Sequence, residues 1–130
     1  MPSLTNWLLF CVDKALDMWA AGVILLSFAS GKFPFFLSNN DQEALLEIAH
    51  IFGSTEMEEI ALKFGRVFKT NIPTVQSRIP FKTIVVRFGE GREDLLSHEG
   101  YDLLERLMTL DPDERITAND ALNHPFFEGI

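Results

Sequence analysis

The sequence contains a single cysteine, Cys11, among its 130 residues. A lone cysteine excludes an intrachain disulfide and a cysteine-based zinc site, and it fits a reducing compartment such as the cytosol or nucleus. The three histidines, His50, His98 and His124, are widely separated and lack metal-site spacing. We therefore expect no metal site and interpret each histidine as structural or exposed.

Basic residues are also scarce. Eleven Lys and Arg face nineteen Asp and Glu, which gives a net charge of −8. Contact with nucleic-acid phosphates needs a basic face, so we expect no direct nucleic-acid binding. An acidic surface of this kind is most simply a solvated one.

No hydrophobic run is long enough to predict a membrane span. The run 7–12 has neither basic residues before it nor a small-residue cleavage site after it, so it is not typical of a signal peptide. The run 18–29 is shorter than the roughly 20 residues that a span requires. We expect a buried helix of a soluble protein and no membrane insertion, with a membrane-associated segment formed from both runs as the minor alternative.

What the sequence does contain is apolar and helical in pattern. Apolar residues make up 47% of it, and twelve are Phe, which predicts one compact domain with its own core. Residues 16–30 are apolar on every side, as in a helix that is buried all round. Gly31 ends this helix and Pro34 prevents its continuation.

Further helices are predicted from local end signals. Asn40 with Glu43 resembles a capping pair, and Thr55 with Glu58 forms a capping box. Thr117 with Asp120 caps a last short helix. The predicted helices are 16–30, 41–52, 56–64, 100–110 and the short helix after Thr117. Between them, we interpret 66–99 as an extended connection, although 84–88 has the composition of a short strand. The predicted class is all-α, with five main helices.

Three short motifs follow one another along the sequence, and their order is informative. The first is Asp17-x-Trp19-x-x-Gly22, the second Gly31-x-x-Pro34-Phe35, and the third Asp111-Pro112-x-x-Arg115-Ile116-Thr117-Ala118, followed by His124-Pro125-Phe126-Phe127. Each alone has a simple structural interpretation as a cap, a turn or a helix stop. Their order and spacing together resemble the helical C-terminal (large) lobe of serine/threonine protein kinases.

A narrower resemblance is to the cell-division-cycle-7-type kinases, and the sequence is most similar to the fungal members. It rests on Ala15-Leu16-Asp17-Met18-Trp19, Phe33-Pro34-Phe35-Phe36 and Ile51-Phe52-Gly53-Ser54. The resemblance implies ATP- and magnesium-dependent phosphorylation of protein serine or threonine, often in acidic context, to start DNA replication and advance the cell cycle. It also implies a separate activating subunit, protein substrates including the replicative helicase, and a location in the nucleus, with the cytoplasm as an alternative.

The resemblance assigns supporting roles to four positions. Asp17 would hydrogen-bond backbone amides of the catalytic loop, and Trp19 would pack beneath that loop. Gly22 belongs to the same motif. Arg115 would form a buried ion pair with the glutamate of an Ala-Pro-Glu motif, a task suited to a permanently charged guanidinium. None of these four residues would touch ATP or perform chemistry.

The catalytic motifs of a kinase are missing from this sequence. It contains no Gly-x-Gly-x-x-Gly loop, no His-Arg-Asp and no Asp-Phe-Gly, and phosphoryl transfer depends on all three. We therefore predict no catalytic or cofactor-binding residue in this chain, and no activity for the chain alone. We divide it into a non-family segment, 1–13, and a partial, truncated kinase domain, 14–130. The alternative is a non-catalytic interaction module or pseudokinase-like fragment that competes for the kinase's partners through the loop 32–40 and helix 41–52.

Two physical problems follow from the missing parts. A buried and unpaired Arg115 would cost about 3–5 kcal/mol, so we expect it to turn to water or to pair with Asp111 or Glu114. One side of the helix 16–30 should be open to solvent unless Trp7 to Phe10 fold over it.

Overall fold

The computed structural model describes residues 13–70 and 77–129. Within these ranges the chain forms six α-helices and two short 3₁₀ turns, and it has no β-strand. The helices are α1 (Asp13–Ser30), α2 (Asp41–Phe52), α3 (Ser54–Lys63), α4 (Phe81–Phe88), α5 (His98–Leu107) and α6 (Ala118–Leu122). The 3₁₀ turns are Glu93–Leu95 and Pro125–Phe127. The all-α prediction is confirmed.

Helix α1 is the central element, and it packs against α4 and α5. Trp19, Leu26 and Ala29 are buried on one side of it. On the other side Ile24 and Phe28 are 55% and 74% exposed. The expectation of an open side is therefore met by the described residues. The segment Trp7 to Phe10, which was considered as its cover, lies outside them.

The prediction for residues 66–99 was wrong in part. Helix α4 lies within this predicted connection, so the described part of the chain has six helices rather than the five predicted. Phe81, Ile84 and Val85 are its buried residues, and their i, i+3, i+4 spacing is that of one helix face. The β-branched residues in 84–88 favour a strand locally, but burial of this face against the core overrides that preference.

A contact from a distant part of the chain fixes the start of α4. The backbone N–H of Phe81 donates to Oε1 of Glu105 on α5 at 3.0 Å. Oε2 of the same carboxylate pairs with Arg78. The Glu105 side chain thus satisfies a backbone donor that the first turn of α4 would otherwise leave unpaired.

The predicted helix ends are correct at some positions and wrong at others. Oδ1 of Asn40 accepts from the N–H of Glu43 at 2.9 Å, so the predicted cap of α2 is confirmed. The predicted capping box at Thr55 is wrong, because α3 already begins at Ser54, directly after Gly53, whose φ is 84°. Only glycine adopts such a φ readily, and Gly53 lets α2 turn into α3 without a linker.

The starts of α5 and α6 lie close to the predicted positions. Helix α5 begins at His98 rather than near residue 100, since Oγ of Ser97 caps it by accepting from the N–H of Gly100 at 3.0 Å. Oγ1 of Thr117 accepts from the N–H of Asp120 at 3.2 Å, as predicted for the cap of α6.

Aromatic rings form the centre of the core. The Phe52 ring lies 5.9 Å from that of Trp19 and 6.1 Å from that of Phe81, so α1, α2 and α4 meet at one point. Across residues 13–70 and 77–129, every helix is too short or too polar to cross a membrane.

Candidate functional site

Arg115 is the most buried charged side chain near the predicted site, with 5% of its surface exposed. It lies between α5 and α6, and its guanidinium donates in three directions. Nε donates to the carbonyl of Thr109 at 2.9 Å, and Nη2 donates to that of Leu110 at 3.1 Å. Nη1 donates to the carbonyl of Ala15, in the first turn of α1, at 2.7 Å. Arg115 thus ties the start of α1 to the loop after α5.

These contacts correct the expected fate of Arg115. It neither turns to water nor forms an ion pair with Asp111 or Glu114. Three backbone carbonyls take its donors instead, and the guanidinium carbon lies 5.0 Å from the centre of the Trp19 ring, a cation–π arrangement. Three hydrogen bonds to carbonyls and the Trp19 ring face thus take the place of the expected pairing with Asp111 or Glu114.

Burial still acts on the charge of Arg115. It lowers the pKa of the guanidinium to about 10, against the opposing influence of the nearby Asp111 carboxylate. The group is still charged at neutral pH, because its pKa stays well above 7. The guanidinium has five N–H groups. Three of them donate to the carbonyls, and the other two form no hydrogen bond with the described residues.

Asp111 has a different partner from the one predicted. Its Oδ2 lies 2.6 Å from Nζ of Lys63 on α3, and Asp113 lies 3.1 Å from the same nitrogen. Hydrogen bonds from Lys63 to Asp111 and then to Asp113 raise the pKa of Lys63. Oδ1 of Asp111 accepts from the N–H of Asp113 at 2.9 Å and holds the turn that carries Arg115.

Trp19 and Gly22 lie on the buried side of α1. Trp19 is 5% exposed and packs in the main core. A Cβ added to Gly22 would overlap Cγ of Met108 and lie 3.1 Å from Cβ of Leu107. Glycine at this position therefore permits the close approach of α1 to the end of α5.

Asp17 is exposed, yet it shares a cavity with Arg115. This cavity has a volume of about 430 Å³ and is lined also by Lys14, Met18 and Pro112. The structure thus brings Asp17 and Arg115 to one place although the sequence separates them by nearly the whole chain. An exposed carboxylate beside an apolar wall can accept hydrogen bonds from backbone N–H groups of an added segment.

A second polar pair near the C-terminus was not predicted. Nε2 of His124 lies 2.7 Å from Oδ2 of Asp102 on α5, and Nδ1 accepts from the N–H of Phe126 at 3.1 Å. An accepting Nδ1 places the proton of the neutral ring on Nε2. His124 is structural, as expected, but the sequence gives no local signal for its partner, Asp102.

The other histidines, His50 and His98, are exposed. Within the described ranges no group of three His, Cys, Asp or Glu side chains is arranged to hold a metal ion.

Comparison with known families identifies the architecture. Residues 11–127 match the family model described as the protein kinase domain. The match covers both motifs that carry Asp17 and Arg115.

The similar proteins include several with related names. "Probable cell division control protein 7 homolog 1" of Encephalitozoon cuniculi is 45% identical over 117 residues, which are 89% of this chain and 33% of that protein. "Cell cycle serine/threonine-protein kinase hsk1" of Schizosaccharomyces pombe is 39% identical over 85% of this chain and 24% of its own length. "Probable serine/threonine-protein kinase cdc7" of Dictyostelium discoideum is 39% identical over 86% of this chain and 11% of its length. The chain thus spans a third or less of these relatives.

Proposed function

The chain belongs to the protein kinase family, as part of the helical large lobe of a cell-division-cycle-7-type serine/threonine kinase, and from this premise we propose that its role is to brace the catalytic parts of such an enzyme. The whole enzyme would transfer the γ-phosphate of ATP, with Mg²⁺, to serine or threonine hydroxyls of proteins. Its place would be the initiation of DNA replication within the cell cycle.

One observation supports this proposal best: Asp17 and Arg115 line the same cavity at the start of α1. The bond from Arg115 to the carbonyl of Ala15 fixes the turn of α1 that carries Asp17. Arg115 therefore acts as a positioning residue for the Asp17 carboxylate. In the kinase family an Asp at this place in the motif holds the catalytic loop, and the open cavity leaves room for such a segment.

The ATP and Mg²⁺ ligands of the family would come from motifs that this sequence does not contain. We expect the 130-residue chain alone to bind no nucleotide and to transfer no phosphate. A thermal-shift experiment with and without Mg²⁺-ATP tests this, since a ligand at 100 times its Kd would stabilise the chain by about 2.7 kcal/mol. A clear nucleotide-dependent shift in melting temperature, or phosphate transfer to an acidic peptide, would overturn the proposal that this chain supports the catalytic parts without binding nucleotide itself.

The intact mass of the endogenous product tests the wider proposal. A product several times heavier that contains these residues is expected if the chain serves a whole kinase. A product of 130 residues would contradict the proposed role in bracing the catalytic parts of a kinase, and only a role in binding partners would remain. A fluorescent fusion tests the proposed nuclear location, which uniform cytoplasmic signal would contradict.

The second candidate function is a non-catalytic module that binds partners of a kinase, such as its activating subunit. The exposed apolar residues of the loop after α1 favour it, since Phe33 is 86% and Leu37 75% exposed. Large exposed apolar side chains in one loop are typical of binding surfaces. Co-purification with the activating subunit that is lost in Phe33→Ser and Leu37→Ser variants is expected, and retention in both variants would count against this function.

A further inference from the structure

An apolar groove lies away from the Asp17–Arg115 cavity, between the loop after α1, α2 and α4. Its volume is about 270 Å³. This is slightly below the usual volume of ligand pockets, roughly 300–1,000 Å³, so the groove suits one or two side chains. Most of its wall is apolar: Phe35, Phe36, Ile51, Ile84 and Phe88.

One wall of the groove carries an unsatisfied acceptor. Oε2 of Glu47 accepts from the backbone N–H of Leu37 at 3.0 Å. Oε1 of the same carboxylate is buried, and no donor from the described residues reaches it. Leaving a buried acceptor unpaired costs about 1–3 kcal/mol. A ligand whose entry into the groove uncovers Oε1, and which then donates an N–H group to it, would recover this free energy.

Two cations also line the groove, although the chain as a whole carries a net charge of −8. Nζ of Lys32 lies 5.0 Å and 4.9 Å from the ring centres of Phe35 and Phe88. Arg87 is exposed, and no carboxylate within residues 13–70 or 77–129 forms an ion pair with it. Lys32 and Arg87 together outnumber the single carboxylate of Glu47, so the groove is locally positive.

We propose that this groove binds an acidic linear peptide of a partner protein. A large apolar side chain of the peptide enters between Ile51, Ile84 and Phe88. A peptide N–H donates to Oε1 of Glu47, and a neighbouring Asp or Glu of the peptide pairs with Arg87. The proposal does not depend on kinase activity or on the Asp17–Arg115 cavity, because it uses different residues.

Fluorescence polarisation with two designed probes tests this chemistry on the full 130-residue chain. The acidic probe is a fluorescein-labelled, C-terminally amidated peptide, Gly-Ser-Asp-Leu-Asp-Ser, and the basic probe replaces both Asp residues by Lys. We expect the acidic probe to bind at least about tenfold more tightly than the basic one, equivalent to about 1.4 kcal/mol. No binding of the acidic probe, or equal binding of both probes, would overturn the proposal.

Charge reversal in the protein makes the test specific. Arg87→Glu should weaken the acidic probe by about tenfold and strengthen the basic one. Arg66→Glu makes the same change in net charge at an exposed residue outside the groove, and it should alter binding of the acidic probe much less. An equal effect of both variants would show mere long-range attraction and would contradict the proposal. Circular dichroism of each variant verifies that the fold is retained.

Two further outcomes are decisive. In Glu47→Gln the one amide oxygen is needed for the N–H of Leu37, so the NH₂ group takes the place of Oε1 and faces the peptide donor. Binding of the acidic probe should therefore weaken, although the substitution removes the charge repulsion between Glu47 and the Asp residues of the probe. Stronger binding of the acidic probe by this variant would contradict the proposal that Oε1 of Glu47 accepts a hydrogen bond from the peptide. Sedimentation of the chain without peptide should show no dimer that Arg87→Glu abolishes, since such a dimer would identify a second copy as the occupant.

Discussion

The two sides of α1 are both apolar, but only one is covered by the described residues. Leu26, on one side, is completely buried against the core, whereas Ile24, on the other, is 55% exposed. The side chains differ little in hydrophobicity. What differs is that α4 and α5 pack against the helix on one side, whereas the described residues leave more than half of Ile24 and of Phe28 exposed on the other. An all-round apolar helix therefore indicates burial in a larger assembly, not the identity of the element that covers it.

The largest difference should come from matched truncations on the two sides. Leu26→Ala creates a cavity in a fully buried site and should lower the free energy of unfolding by about 3–5 kcal/mol. Ile24→Ala removes a similar side chain from an open site, and its effect should stay within about 0.5 kcal/mol. Urea unfolding followed by circular dichroism measures both. Similar losses from both variants would mean that the open side is covered in solution, and the comparison would fail.

The second prediction concerns the end of the covered side, where Arg115 ties α1 to the loop after α5. Arg115→Met keeps much of the side-chain volume but leaves three carbonyls without their donor. Part of this cost is offset because a buried charge is removed, so we expect a loss of about 2–4 kcal/mol. Arg66→Met, at an exposed site, is the matched control. Unchanged stability of Arg115→Met in urea would show that the carbonyl bonds contribute nothing.

The third prediction uses neighbouring positions on the two sides. Gly22→Val drives new methyl groups into Met108 and Leu107, and overpacking of this kind costs about 1–3 kcal/mol. Ala21→Val introduces the same β-branched side chain at an exposed position of the same helix. There it should cost only the lower helix propensity of Val, about 0.5 kcal/mol, whereas Gly→Val improves propensity, so a larger loss at Gly22 can come only from packing. Thermal unfolding should separate the two variants by several degrees, and coincident melting curves would refute close packing at Gly22.

How far the sequence predicts this structure depends on how local each determinant is. The cap at Asn40 is readable because the side chain and the N–H it accepts from are three residues apart. The start of α4 cannot be read in this way, because Glu105, which accepts the hydrogen bond from the N–H of Phe81, lies 24 residues away on another helix. In the sequence alone, the strand-like composition of residues 84–88 therefore outweighs the helical spacing of Phe81, Ile84 and Val85, although burial of these three residues makes the segment a helix in the structure.

The same distinction applies to the candidate site. The motifs place Asp17, Trp19, Gly22 and Arg115 on recognisable segments, and the resemblance brings the segments together. The actual partners of Arg115 could not be predicted, since the carbonyl of Ala15 is 100 residues away and backbone atoms leave no trace in composition. Sequence reasoning sought a carboxylate because it considers side chains, and it overlooked the main chain as an acceptor.

A smaller effect should appear at the outer face of α5, the helix that covers α1. Hydrogen bonds from His124 and then Arg106 lower the pKa of the Asp102 carboxyl from its ordinary value of 3.8. A depressed carboxyl pKa stabilises the folded state above the unfolded pKa, and this contribution is lost as the pH falls through the folded one. The stability gap between the native chain and Asp102→Asn should therefore shrink between pH 5 and 3. Since Asp102 is half exposed, the change should be under about 1 kcal/mol, measured by urea unfolding across this pH range. A gap that widens on acidification would contradict the assigned pairing.

The smallest expected effect on stability is the sharpest test of the open side. Ile24→Lys puts a charge where the structure shows solvent, so the free energy of unfolding should change by less than about 0.5 kcal/mol. Self-association should fall, because exposed apolar residues next to Phe28 are a site for non-specific contacts. Lys placed on the covered side, as in Leu26→Lys, should instead prevent folding, since an unpaired charge would be buried. Light scattering and urea unfolding of the two variants measure both effects. If Ile24→Lys unfolds the chain as Leu26→Lys does, another segment must already cover Ile24, and the two sides of α1 would differ only in which part of the polypeptide buries them.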